Sequence, residues 1–172
     1  MALLRGQVNR CDSILRELVT ATTASSQVRA DSVAQLIAEI RERWMIARPE
    51  VPLTVELSPE VAALEINYDQ SFYHALLSFL HNAAETSPSQ VELTARAVAG
   101  GTVLVRVEDR GAGIPADLAA GLGRRHTSGK EDGLGLGILL STASVERLGG
   151  KVFLLKRPGG GTRVDIHMPV RM

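Results

Sequence analysis

The chain has 172 residues, with 19 Lys plus Arg set against 19 Asp plus Glu, 45% apolar residues and a pI near 6.9. That is enough for one domain with an appendage and a core that needs no covalent staples. The balanced charge excludes a nucleic-acid binder that works by bulk electrostatics, and the single Cys11 excludes an internal disulfide and speaks against a cysteine metal site. No apolar run reaches the ~18 residues of a membrane span, and "MALLRGQVNR" turns polar too soon for a signal peptide. We therefore expect a chain of the reducing cytosol with no membrane contact of its own.

In chain order, Ala2 to Thr22 reads as a helix: Leu4, Val8, Cys11, Leu15 and Leu18 form a heptad-like seam that wants a partner helix. "TTASSQ" reads as a linker, so the expected division is 1–22, 23–27 and a compact domain over 28–172. Asp31 is placed to cap a helix bearing Val33, Leu36, Ile37, Ile40 and Trp44, ended by Pro49 and Pro52. "LTVEL" and "ALEIN" are short strands. Asp69 opens a helix with Phe72, Ala75, Leu76, Phe79 and Leu80 inward, stopped by Pro88. "VELTARA" and "TVLVRVED" alternate at strand period, and "VAGGT" between them signals a hairpin. A helix from Leu136 to Leu148 follows, with Gly149 and Gly150 as caps. "KVFLLKR" and "TRVDIHM" make a second hairpin through "PGGG". The fold class is α+β, a mixed and mostly antiparallel sheet with helices on one face.

Three segments bear on chemistry. Asn82 in "HNAAETS" lies beside the apolar stripe of its helix, where an amide must find a hydrogen bond or a ligand. In "VEDRGAGIP", Asp109 ends a buried strand, and Gly111 and Gly113 permit close approach of a flat ligand to the backbone. A carboxylate there can accept from an exocyclic amino group. In "DGLGLGILLS", Gly133, Gly135 and Gly137 run into a helix, whose N-terminus offers free N–H groups and a positive dipole end to phosphate. A satisfied Asn, an Asp in a turn and a plain glycine turn are the bland readings of the three taken singly. No Gly-Lys-Ser/Thr follows the glycines, so they are not a P-loop. They do not directly follow a strand in a βαβ unit either, which speaks against a dinucleotide fold.

Together, in this order, the three segments resemble the ATP-binding domain shared by sensor histidine kinases, gyrase, Hsp90 and MutL, the Bergerat-type fold, over about 28–172. The ending "GGGTRVDIHMP" is similar to that of bacterial two-component histidine kinases. "QVNRCDSILREL" and "GLGLGILLSTASVERLGG" look closest to the redox-responsive RegB/PrrB/RoxS type. The resemblance implies a two-layer α/β sandwich preceded by a single N-terminal helix, the end of a dimerisation and phosphotransfer domain. It implies ATP and Mg²⁺ as cofactors. Asp109 would bind the adenine amino group; Gly111, Gly113 and Thr162 would serve the ring and an ordered water; Asn82 would reach the phosphates or Mg²⁺, with Ser78 a second candidate ligand. Gly133, Leu134, Gly135, Leu136 and Gly137 would form the phosphate-facing helix start, and Lys130 would reach phosphate from a lid over 115–132, where Arg124 and Arg125 also lie.

The chain departs from the family at Ser78, where kinases often carry Asn and gyrase-like ATPases a catalytic Glu. It departs again at Glu85, which stands where a Lys often follows. His74, His81, His126 and His167 all read as structural or surface residues, so the phosphoacceptor histidine is expected on a separate helix. The implied partners are that histidine-containing dimerisation domain, a response regulator and a second copy of the kinase. Implied too is a cytoplasmic domain whose full-length protein is attached to the inner membrane by an upstream segment. Cys11 is either a core residue of the helical seam or a redox-responsive thiol. A nucleotide-binding module without phosphotransfer and an anti-sigma-factor-type serine kinase are the alternatives.

Overall fold

The computed structural model describes residues 27–113 and 134–171. The expected helix over Ala2–Thr22 with Cys11, the rest of the linker before Gln27, and the lid with Lys130 and Gly133 lie outside the described residues. Elements run β1 (Arg29–Ser32), α1 (Val33–Ala47), β2 (Leu53–Leu57), α2 (Pro59–Ala62), β3 (Glu65–Tyr68), α3 (Gln70–Thr86), β4 (Val91–Val98), β5 (Thr102–Asp109), α4 (Leu134–Arg147), β6 (Lys151–Lys156) and β7 (Thr162–Pro169).

The main sheet has five strands in the order β2-β4-β5-β7-β6. Both expected hairpins form, β4–β5 and β6–β7, and β5 pairs antiparallel with β7. The one parallel pair, β2–β4, makes the sheet mixed. One face carries Val91, Leu93, Ala95, Val103, Val105, Val107, Val164, Ile166 and Met168, all buried with Leu36, Ile40 and Trp44 of α1 and Phe72, Leu76, Phe79 and Leu80 of α3. This is the strand period at work: alternate residues go to the helices and the others face out. The outer face is mostly polar, with Leu104, Phe153 and Leu155 among its charges, and its buried Asp165 is held by a bidentate fork from Arg106 at 2.7 and 2.9 Å.

Three expectations need correction. Ser32 rather than Asp31 caps α1. Its Oγ accepts from the Gln35 N–H at 3.2 Å while the Gln35 side chain accepts from the Ser32 N–H, a reciprocal capping box. Asp31 is drawn off instead to Tyr68, whose hydroxyl donates to it at 3.1 Å, and to Arg29 at 3.0 Å. The sheet is also not alone, because β1 and β3 pair antiparallel as a separate two-stranded ribbon. The helix α4 begins at Leu134, two residues before the expected start, and α3 ends at Thr86 with Ser87 as C-cap.

Asp69 caps α3 as expected: its Oδ1 accepts from the N–H groups of Ser71 and Phe72 at 3.0 and 3.1 Å. Its Oδ2 takes an ion pair from Arg147 on the last turn of α4. Burial alone pushes this carboxyl up, but the hydrogen bonds from Ser71, Arg147 and Phe72 outweigh it and hold Asp69 below its ordinary range. A carboxyl lowered in the folded state lends stability above its unfolded value, near 4, and loses it as pH falls through the folded value. Asp69→Asn keeps the cap but loses the ion pair. With Arg147 half exposed, we expect it to cost about 1 kcal/mol at pH 7. Denaturant titrations at pH 7 and pH 3 check this: the cost should shrink at the lower pH.

Candidate nucleotide-binding site

Asp109 closes β5 and is 4% exposed. Its Oδ1 accepts two backbone donors, the Gly111 N–H at 2.8 Å and the Thr162 N–H at 3.1 Å. Among the described residues its Oδ2 takes no hydrogen bond. A carboxylate pinned through one oxygen presents the other in a fixed direction, which is what recognition of a single amino group requires.

Three stretches of backbone meet around it. A Cβ on Gly111 would stand 2.5 Å from the Thr86 carbonyl oxygen, so the end of α3 rests directly on the loop after β5. Gly113 takes φ +80° and lies against Gly161, which precedes Thr162 in the β6–β7 hairpin. A Cβ on Gly161 would stand 2.1 Å from the Asp109 carbonyl oxygen. Here glycine is demanded by backbone packing on backbone. Gly161 and Thr86 were not singled out from sequence, although three glycines before Thr162 exceed what a tight hairpin needs.

Asn82 lies on α3 one turn before Thr86, about 6 Å along the helix, and is half-buried. Among the described residues its side-chain amide takes no hydrogen bond. The helices α3 and α4 pack together. Gly137 faces Ser78, whose Oγ is 3.8 Å from where a Cβ would stand, and Arg147 reaches Asp69 and Ser71. The two contacts run in opposite chain senses, so the helices are antiparallel and Asn82 stands by the opening of α4 at Leu134. Helices leave their first N–H groups without a partner inside the helix, so the backbones of Leu134, Gly135 and Leu136 turn donors out of the helix end, and the first turn of α4 carries no acidic residue. Gly137 lies deeper, facing Ser78 with room to spare. Gly137→Ala is therefore expected to raise stability by about 0.5–1 kcal/mol and to change nucleotide affinity less than about threefold. Thermal unfolding and calorimetry on the variant check both.

The sequence-predicted set thus falls into two groups. Asp109, Gly111, Gly113 and Thr162 meet in one corner, with the Thr162 backbone rather than its hydroxyl touching Asp109. Asn82, Ser78 and Gly137 line the α3–α4 seam. Of the described histidines, His74 lies against Gln70 at 3.0 Å, His81 on the Trp44 ring at 5.2 Å and His167 on Phe153 at 5.2 Å, while His126 falls outside the described residues. Burial, with Arg48 and Arg43 nearby, pushes His81 down. Glu85 is exposed.

Residues 67–172, which contain both groups, match the family model of histidine kinase-, DNA gyrase B- and HSP90-like ATPases. The chain belongs to this ATPase family. Among curated relatives, the C4-dicarboxylate transport sensor protein DctS of Rhodobacter capsulatus is 34% identical over 113 residues, covering 65% of this chain and 17% of its own length. Sporulation kinase E of Bacillus subtilis is 24% identical over 174 residues, covering 98% of this chain and 23% of its own length. The chain therefore spans less than a quarter of either relative. Among solved structures, the mycobacterial sensor histidine kinase MprB superposes with a TM-score of 0.65 at 24% identity, over 84% of this chain and 99% of that one. Full-length ShkA in complex with AMPPNP gives 0.65 at 24% identity, over 98% of this chain and 36% of that one. These likenesses establish the α+β sandwich of histidine kinase catalytic domains, as the hairpins and helix pattern imply. Among the described residues no helix is long and apolar enough to cross a membrane.

Proposed function

We propose that the chain is the ATP-binding catalytic domain of a two-component sensor histidine kinase. The observation that carries this is Asp109, a buried carboxylate with one oxygen saturated by backbone N–H groups and the other left to accept. Adenine offers the matching donor, its amino group. Gly111 and Gly113 let the ring lie against backbone, and Thr162 holds the carboxylate's orientation. The N–H groups of Leu134, Gly135 and Leu136 receive phosphate oxygens, joined by Lys130 and Gly133, while Gly137 completes the glycine-rich segment behind them against Ser78. Asn82 and Ser78 offer neutral oxygens at the same place. That donor set suits a Mg²⁺ carried in on phosphate, since Mg²⁺ takes few protein ligands; no group of three or more His, Cys, Asp or Glu side chains lies together among the described residues. When bound, Mg²⁺ neutralises charge on the phosphates.

The chain's own part is to bind, orient and hold; nothing at Ser78 provides a base to activate water. The nucleophile is a histidine of the dimerisation domain, with onward transfer to a response regulator and a homodimer as the working unit. The relatives' names as sensors and kinases support this, and so does the AMPPNP in the ShkA complex. A cytoplasmic place, inner-membrane attachment through an upstream segment and the RegB/PrrB/RoxS type with a redox-active Cys11 belong to the same reading, on sequence resemblance alone.

The test supplies a histidine-containing dimerisation domain in trans with γ-labelled ATP. Acid-labile, base-stable label on that domain is the expected result. Acid-stable phosphoserine on a partner would make the chain a serine kinase of the same family, and binding without transfer would make it a nucleotide-binding module.

A further inference from the structure

We propose that Arg147 is a positioning residue for the phosphate end of the site: by tying the last turn of α4 to the first turn of α3, it sets where the opening of α4 stands relative to Asn82. The proposal rests on the nucleotide reading above.

The tie sits at the far end of the helix pair. An Arg147 Nη donates to Asp69 Oδ2 and lies 2.5 Å from Ser71 Oγ, which itself donates to Asp69 Oδ1 at 2.7 Å. The Asp69 side chain is fully buried, so the guanidinium meets a carboxylate with no competing water on its side. Each charge also suits its helix end, Asp69 at the positive end of α3 and Arg147 at the negative end of α4. At the other end of the pair, Asn82 and the first turn of α4 have no charge pair among the described residues.

Between the two ends the helices meet along a seam of small residues. The face of α4 turned inward carries Gly137, Ser141 and Val145, spaced by four, with Ser141 2% and Val145 0% exposed. Small side chains allow close approach, and Ile138 of the same helix and Leu148 just after it pack against the core beside them, so the seam and the Arg147 tie hold α4 together. The turn after α4 bends through Gly149 at φ +80° and is tied back by the N–H groups of Leu148, Gly149 and Gly150, with Gly150 packed on Met168 and the His167 carbonyl. From Arg147 back to Gly137 is about 15 Å of helix, stiff along its axis, so an axial shift at Arg147 arrives undiminished at the N–H donors. Asp109 stands on β5 and does not feel it. Arg147 therefore acts on the phosphate end and spares the adenine end.

Calorimetry with Mg-ADP and with adenosine, which lacks phosphates, separates the two ends. We expect Arg147→Gln to raise the Kd for Mg-ADP about fivefold while leaving that for adenosine unchanged. Arg147→Lys, which keeps the charge, should recover most of the loss. Faster amide exchange at 134–137 with α3 unchanged is the accompanying signature. Equal losses for both ligands, or none for either in a folded variant, would reduce Arg147 to a structural role. If the wild type fails to bind adenosine, or if Asp109→Asn binds it as well as wild type does, the nucleotide reading fails, and the role of Arg147 falls with it.

Discussion

Asp109→Asn is expected to weaken Mg-ADP binding at least about tenfold, a loss of ~1.4 kcal/mol or more, with little change in stability. The two halves of this expectation have separate causes. Asn keeps an oxygen where Asp109 Oδ1 accepts from Gly111 and Thr162 at 2.8 and 3.1 Å, so the corner stays folded. What changes is the free oxygen, which becomes an amide NH₂. Donor then faces donor, and the adenine amino group loses its acceptor while meeting a repulsive neighbour. The exchange should also reverse preference. Inosine diphosphate carries an acceptor oxygen in place of the amino group, so the variant should gain on it relative to ADP. Competition calorimetry with the two diphosphates reads this directly. Weakened binding of both to the same extent would mean that Asp109 supports the pocket without reading the base. Unchanged binding would place the base elsewhere.

The parts of the fold legible in the sequence are those with a local cause. The β4–β5 hairpin follows from alternating residues on either side of Gly100 and Gly101, and the start of α3 follows from Asp69, whose carboxylate finds the free N–H groups two and three residues on. β1 is too short and polar to announce itself, since "RADS" becomes a strand only by pairing with β3. The parallel β2–β4 pairing has no local signature either, because the chain passes through β3 and α3 before returning. The site divides in the same way. Asp109, Gly111, Gly113 and Asn82 stood out by residue type and spacing. The tie from Arg147 to Asp69 joins residues 78 positions apart, and the contact of Thr86 with Gly111 joins a helix end to a loop across β4 and β5. No periodicity marks such contacts; only the packed chain brings them together. The same holds for Gly161, whose glycine run reads as a turn until β7 is laid beside β5.

Gly161→Ala is expected to cost about 3 kcal/mol of stability, the sum of a left-handed backbone penalty and a hard overlap, and to abolish nucleotide binding at concentrations that saturate the wild type. Gly161 takes φ +97°, and an added Cβ would stand 2.1 Å from the Asp109 carbonyl oxygen and 2.9 Å from the Arg110 Cα. Both are backbone atoms, so no side chain can swing aside. The loop must retreat, and it carries with it the next residue, Thr162, whose N–H orients Asp109. Stability and binding therefore fail through one displacement. Gly160→Ala is the control, since Gly160 sits at φ +102° in the same turn with nothing within 4 Å of an added Cβ. It bears the backbone penalty alone, about 1–2 kcal/mol, and should bind nucleotide as before. Denaturant unfolding of the two variants side by side, with Mg-ADP calorimetry on each, separates conformational strain from contact. Equal costs would mean that the turn's dihedrals matter and its packing on Asp109 does not. A much larger cost at Gly161 would mean that the carboxylate owes its aim to a neighbouring hairpin with no room for a side chain.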